Sequence, residues 1–233
     1  MITIKNLTKR YGKLQVLNGL SVEFERGQVV SIIGPNGSGK TTTIKCLLGM
    51  VLPDSGEIYI DDELVLKQWE YRSKIGYMPQ ISHFPENMKV RQLFEMMKDI
   101  RKDVQELDEE LIGLYNIQKM WDKRLGALSG GMKQKVSAAL AFLFQPDILI
   151  LDEPTAGLDP LSSEILKAKI LKEKKKDKLI LITSHIMSEI EEVADDIMCM
   201  EEGNLRFYSS IAALKEETGE SRLSKAIAKL MMR

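Results

Sequence analysis

The octapeptide GPNGSGKT, residues 34 to 41, gathers the residue types that hold phosphate. It fits G-x-x-x-x-G-K-[ST] at every fixed position. Through Gly34, Pro35, Asn36, Gly37, Ser38 and Gly39, successive backbone N–H groups can curl around an anion. Lys40 can reach the β and γ phosphates as a mobile point charge. Thr41 can offer its hydroxyl to Mg²⁺, and Thr42 adds a hydroxyl and an N–H for the α phosphate. The second group is ILILDE, 148 to 153, an apolar strand ending in two acids. At the C-terminal edge of a sheet, Asp152 would hold Mg²⁺ directly or through water. Glu153 would act as base or water-orienting group. The third is LSGGMKQK, 128 to 135. Val136, Ala139, Leu140 and Leu143 follow at the spacing of one buried helical face. Ser129, Gly130 and Gly131 therefore sit at a helix N-terminus, which favours an anion. One domain thus carries two phosphate-facing helix starts.

These groups need a scaffold that brings loop and acids together. VVSII at 29 to 33 reads as the strand before the phosphate loop, and TTTIKCLLGM as the helix after it, the layout this loop requires. Further strands are expected at 2 to 5, 22 to 24, 57 to 60, 148 to 151, 179 to 183 and 197 to 200. A hairpin is expected over 57 to 66 around Asp61 and Asp62. Helices are expected near 161 to 176 and 186 to 194, so strands and helices alternate as in a parallel sheet with helices packed on it. Residues 82 to 146 read as a mostly helical insertion. KEKKKDK at 172 to 178 reads as a solvated helix end. The tail from 204 to 233 reads as helical, with Leu223, Ile227, Leu230 and Met231 as a stripe that packs on the domain.

The totals narrow the function. There are 233 residues, with 33 basic against 34 acidic, so no strong field points to nucleic acid or anionic lipid. With 44% hydrophobic residues the chain can build a core, yet no apolar run reaches the ~18 residues of a membrane span. MITIKNLTKRYG lacks the layout of a signal peptide. Cys46 and Cys199 lie in apolar surroundings and read as reduced core cysteines. A soluble intracellular protein is expected, with any membrane role supplied by a partner.

Taken together, the motifs resemble the ATP-binding subunit of ABC (ATP-binding cassette) transporters, over residues 1 to about 214. GPNGSGKT matches the Walker A loop, ILILDE the Walker B strand and LSGGM the family signature, with Met132 where many members have glutamine. YMPQ, ending in Gln80, matches the Q-loop; GLDP, with Asp159, matches the D-loop; Ser184-His185 matches the switch histidine. Tyr11 in KRYGK matches the aromatic that stacks on adenine. Singly, each of the last four fits an ordinary role in a turn, cap or half-buried position; their order carries the resemblance. It implies an α/β P-loop NTPase core of mostly parallel strands, an antiparallel β portion and the helical insertion at about 82–146, with 215–233 as a C-terminal tail.

The resemblance also answers why there are two phosphate-facing starts. In the family two ATPase subunits pair head to tail, and the LSGG of one covers the ATP held by the Walker A loop of the other. It implies Mg²⁺-dependent ATP hydrolysis in which Glu153 polarises the water. His185 would hold the γ phosphate, and Gln80 would touch Mg²⁺ and link the site to the insertion. It implies a separate transmembrane permease docking near 81–97, where Phe84, Val90, Leu93, Phe94 and Met97 offer apolar surface. The chain would then lie peripherally on the cytoplasmic face of the membrane. The stretch around YMPQISHFPENMKVRQLFEMMKDIR looks similar to drug-efflux ATPases and to those of copper-processing transporters serving nitrous oxide reductase maturation. Met78, Met88, Met96 and Met97 suit Cu(I) chemically but read as core filler. The competing class is a soluble ABC ATPase of an assembly pathway, such as iron–sulfur cluster scaffolding. DNA-repair and translation relatives are disfavoured by the single cassette and the lack of heptad runs.

Overall fold

In a computed structural model of the chain, residues 1–232 are described. In chain order the elements are β1 (Ile2–Tyr11), β2 (Leu14–Phe24), β3 (Val29–Ile33), α1 (Lys40–Leu47), β4 (Ser55–Ile60), β5 (Glu63–Leu64), β6 (Ile75–Met78), α2 (Val90–Ile100), α3 (Glu110–Leu114), α4 (Gly130–Leu143), β7 (Ile148–Asp152), α5 (Pro160–Lys174), β8 (Leu179–Thr183), α6 (Met187–Val193), β9 (Asp196–Glu201), β10 (Asn204–Ser210), α7 (Ile211–Thr218) and α8 (Leu223–Met231). Short 3₁₀ turns occupy Glu70–Lys74, Ile117–Met120 and Leu125–Ala127.

The short apolar runs become inner strands. Every residue of β3, β7 and β8 is buried, as a parallel strand covered on both faces requires. The sheet runs β10-β9-β3-β8-β7-β6, parallel except where β10 pairs antiparallel with β9. Side chains of β7 alternate between two cores. Leu149 and Leu151 face α2, α3, α4 and α5. Ile148 and Ile150 face α1 and a second, antiparallel sheet of order β2-β1-β4-β5. This is the mixed α/β architecture expected of a P-loop NTPase core.

Several expectations change. β1 and β2 run well beyond residues 2–5 and 22–24. The excess escapes a period-two reading because Asn6 takes φ of 50° and the register shifts three times along the pair. β6 is four residues long and contains Gly76, so it carries little strand signal. The tail is not helical throughout, because residues 204–210 form β10 and the helix starts only at Ile211. β10 is an edge strand with no fully buried residue, so it lacks the apolar alternation that marks a half-buried strand. Leu223 and Ile227 do pack on the domain, against Ile190, Ile197 and Leu214, with Leu230 half-buried beside them. Met231 stays exposed. The Asp61–Asp62 hairpin forms as expected, with φ of 49° and 63° at the two aspartates.

The run at 172–178 is only partly solvated. Glu173 and Lys178 are buried, and with Lys169 of α5 they form an ionic knot. Lys169 Nζ lies 2.8 Å from Glu110 and 3.0 Å from Glu173 and also bonds Asp108, while Lys178 Nζ lies 2.6 Å from Glu173. Burial alone would raise the Glu173 carboxyl, but hydrogen bonds from Lys176, Lys178 and Lys169 outweigh it and hold it at about 2. Burial would lower Lys169, and its three carboxylate partners outweigh that and push it above the usual lysine range. The knot ties the segment entering α3 to the back of α5. Cys46 and Cys199 are buried free thiols, pushed up to about 11 by burial.

Candidate nucleotide site

The phosphate loop leaves β3 and enters α1 with no side-chain cap at its N-terminus, so the amides there have no internal side-chain partner. Gly34 holds φ of 148°, and a Cβ at that position would lie 2.2 Å from the Met200 carbonyl oxygen. The loop is therefore pressed against the end of β9. Lys40 Nζ donates to the carbonyls of Gly34 at 2.7 Å and Pro35 at 3.0 Å. This folds the lysine back over the loop mouth. Ser38 is buried, and its Oγ has no partner in the chain.

Beside the loop, at the same edge of the sheet, stand the C-terminal ends of β8 and β7, which are adjacent and parallel. Asp152 is the last residue of β7. Glu153 follows in a left-handed conformation, φ 49°, which turns the chain sharply out of the strand. Its N–H is held by the Thr183 carbonyl at 3.1 Å and the Thr183 Oγ1 at 3.0 Å. The same hydroxyl donates to Asp152 Oδ1. Glu153 Oε1 lies 3.2 Å from His185 Nε2, on the segment after β8. Burial raises the Glu153 carboxyl above its ordinary value, with His185 and Lys40 opposing and Asp152 reinforcing. Burial likewise lowers Lys40, with Glu153 and Asp152 opposing.

An open cleft collects these groups. Asn36, Gly37, Ser38, Gly39, Lys40, Thr41, Thr42, Gln80, Asp152, Glu153 and His185 line it. Gly34 and Pro35 lie behind it and contribute the carbonyls bonded to Lys40. Tyr11 is half-exposed beside Lys9, whose Nζ is 5.6 Å from the ring centroid. It does not line the cleft, whose apolar mouth is Leu14 and Val16 of β2. Those two were missed because the hairpin carrying them was not foreseen. Thr183, buried in the cleft wall, was also missed; its signal was a polar residue closing an otherwise apolar strand.

Ser129, Gly130, Gly131 and Asp159 are not in this cleft. They form a second cluster. Ser129 caps α4, accepting from the Met132 N–H at 3.3 Å. Asp159 caps α5 through the Ser162 N–H at 2.9 Å and binds Lys135 of α4 at 2.8 Å. A Cβ on Gly131 would come within 2.7 Å of the Gly157 carbonyl oxygen. The start of α4 is thus packed on the loop before α5, with its outer face exposed.

The cleft suits a nucleoside triphosphate with its metal. A glycine-lined loop with free amides, an orphaned buried hydroxyl and one cation supply anion donors. Thr41, Asp152 and Gln80 supply three oxygens of the hard type that Mg²⁺ takes. Thr183 is expected to matter as much as its carboxylate neighbours' orientation does. Thr183→Val should lower ATP turnover about tenfold, by loosening both acids, with metal-free ATP affinity unchanged. Thr183→Ser should keep most of the rate. Wild-type turnover in the valine variant would remove the role of the hydroxyl.

Comparison with known proteins agrees with this geometry. The ABC transporter family profile matches residues 17–156. Nod factor export ATP-binding protein I of Burkholderia orbicola (strain AU 1054) is 37% identical over 207 residues, which cover 87% of this chain and 68% of that protein. The uncharacterized ABC transporter ATP-binding protein YxlF of Bacillus subtilis (strain 168) is 32% identical over 222 residues, 93% of this chain and 73% of that one. A solved ATP-binding subunit of an ABC transporter superposes with a TM-score of 0.88 at 25% identity, covering 99% of each chain. The cassette MJ0796, solved as a dimer bound to ADP and Pi, shares the fold with a TM-score of 0.78 at 22% identity, covering 90% of this chain and 98% of that one. The chain belongs to the ABC transporter family, as its ATP-binding and ATP-hydrolysing subunit.

Proposed function

We propose that this chain binds Mg²⁺-ATP in the cleft between Lys40 and Glu153, pairs head to tail with a second ATPase subunit, and drives a separate membrane permease. The observation that carries the reading is the meeting, in one cleft, of the phosphate loop with Asp152, Glu153 and His185. Lys40 and the loop amides bind and orient the phosphates. Glu153 orients the attacking water and takes up its proton, and His185, in contact with Glu153, holds the terminal phosphate. Thr41, Gln80 and Asp152 would hold Mg²⁺, which when bound neutralises charge building on the phosphates. The second cluster, with Ser129 and Gly130 exposed and Gly131 packed beneath them, then covers the ATP of the partner subunit, and Asp159 holds its loop in register with α4. The dimeric state of MJ0796 supports this pairing by analogy of fold.

For the permease, an open groove lies between β6 and the helices. Phe84, Leu93 and Met97 line it with Tyr77, Leu140 and Phe144. Val90 and Phe94 instead face inward, and Phe94 meets Trp121 edge-on at 5.1 Å. No described helix is long and apolar enough to cross a membrane; in this reading a permease on another chain supplies the span and holds this one at the cytoplasmic face. Export is the direction supported by the relatives named for Nod factor export. Copper processing gains no support: Met78 is fully buried, Met88 and Met97 pack against the same core, and Met96 alone of the four is exposed.

The test is capture. Tagged Glu153→Gln protein, held with ATP and Mg²⁺ in its native host and extracted in mild detergent, should bring down a polytopic membrane protein. Adding Phe84→Asp should abolish that capture while ATP binding persists. Recovery of soluble partners alone, with no membrane fraction, would replace this reading by an assembly ATPase.

A further inference from the structure

Gln134 lies in the second turn of α4 and is 4% exposed. Its Nε2 is buried and has no partner in the chain. Its Oε1 accepts a hydrogen bond from Ser82 Oγ at 3.5 Å, the long limit for such a contact. Ser82 is itself buried and stands two residues after Gln80, which lines the nucleotide cleft. One amide therefore bridges two segments with different tasks, and the bridge is half made.

That arrangement is unusual on physical grounds. Buried polar side chains nearly always find partners, and an orphaned donor loses the hydration it would have in water. Along α4, Ser137, Ala141 and Phe144 continue the same face at helical spacing and line the groove beside β6. A helix face needing only to be filled would take an apolar residue at 134. Ser82 also lines that groove, so the Gln134–Ser82 contact lies where cleft, groove and signature helix converge.

We propose that Gln134 is a positioning residue that couples the Gln80 segment to α4, and that its free amide is satisfied when the segment shifts toward bound nucleotide. The inference rests on the proposed role of Gln80 at the cleft. Drawing Gln80 inward carries Ser82 with it, because only one residue separates them. The Gln134 amide then gains an acceptor on that segment, and α4, whose first residues present Ser129 and Gly131, is held in the matching position. Two packings of one contact, biased by ligand, are what a switch of this kind requires.

The experiment compares Gln134→Leu, Ser82→Ala and Gln80→Ala in the full chain by thermal melting, fluorescent-ATP binding and steady-state phosphate release. Gln134→Leu removes the orphaned donor and keeps the volume, so its melting temperature should equal or exceed wild type and its ATP affinity should stay within twofold. Its kcat should fall about tenfold with KM unchanged. Ser82→Ala should lower kcat less, and non-additively with Gln134→Leu. A melting temperature lowered in Gln134→Leu with kcat intact would overturn the proposal and mark the glutamine as structural, its amide satisfied by a resident water. If Gln80→Ala turns over normally, the role of Gln80 fails and the coupling with it. If Gln80→Ala is slow and Gln134→Leu is not, only the coupling fails.

Discussion

Replacing Glu153 with glutamine is expected to cut steady-state phosphate release by about two to three orders of magnitude while ATP still binds. The carboxylate sits 3.2 Å from His185 and faces the phosphate loop across the cleft. Glutamine matches its shape and can still accept a hydrogen bond, but it cannot take the proton of an attacking water. Burial raises the wild-type carboxyl, which has two consequences. Activity should fall on the acid side at a higher pH than an ordinary carboxylate would give, and this limb should vanish in the residual rate of the variant. Between the ordinary value of 4.5 and the raised folded value, the native state binds more protons than the unfolded one. Stability from this group is therefore lost as pH rises through that window. Glu153→Gln should melt at or above the wild-type temperature at neutral pH, and the two curves should converge near pH 4. A variant that hydrolyses ATP at the wild-type rate would remove Glu153 from the reaction.

Lys40→Met is expected to act one step earlier, weakening ATP affinity by about a hundredfold or more, as loss of charge-assisted bonds to phosphate implies. Lys40 is the cation at the loop mouth, and its ammonium now rests on the Gly34 and Pro35 carbonyls. Those bonds hold the side chain above the loop, so little reorganisation separates this state from one in which it meets phosphate. Burial lowers the Lys40 amine, so the unfolded chain holds its proton more tightly. That charge therefore opposes folding at neutral pH, and the opposition disappears only as pH rises past the lowered value. Methionine removes the penalty and keeps most of the apolar stem, so the melting temperature should move little while binding collapses. Isothermal titration beside thermal melting checks both halves. Wild-type ATP affinity in the variant would contradict the placement of the phosphates.

The site was readable where chemistry imposes spacing, and unreadable where it depends on packing. GPNGSGKT and ILILDE have fixed internal distances, so Lys40, Asp152 and Glu153 could be named and set together at the C-terminal edge of one parallel sheet. Thr183 touches both acids from another strand, and no local pattern announces that. Leu14 and Val16 depend on a hairpin whose alternation is broken by Asn6 and three register shifts. Tyr11 was placed by its motif, yet its ring is outside the cleft wall, because β1 ends there and the chain turns at Gly12 before Leu14 enters. The parallel core was legible because its strands are apolar throughout. β10 was not, because an edge strand has only half a core to signal. Charge runs mislead for a related reason: residue type says that Glu173 and Lys178 are ionic, and only the fold shows that they find each other in the interior.

That knot, with Lys169, Glu173 and Lys178 buried and Asp108 and Glu110 half-buried at its edge, also bears on how this sequence can change over time. Taking out Lys169 or Glu173, the two members with 1% exposed side chains, leaves their partners' charges uncompensated in the interior, at about 3–5 kcal/mol, whereas exchanging the whole set for packed apolar residues can be neutral or favourable. Single steps away from the present arrangement therefore lead downhill, and the alternatives lie across a valley that only simultaneous changes can cross. The attachment between α3 and α5 is in that sense historically locked: drift is free to rewrite the exposed lysines around it, but not the ions at its centre.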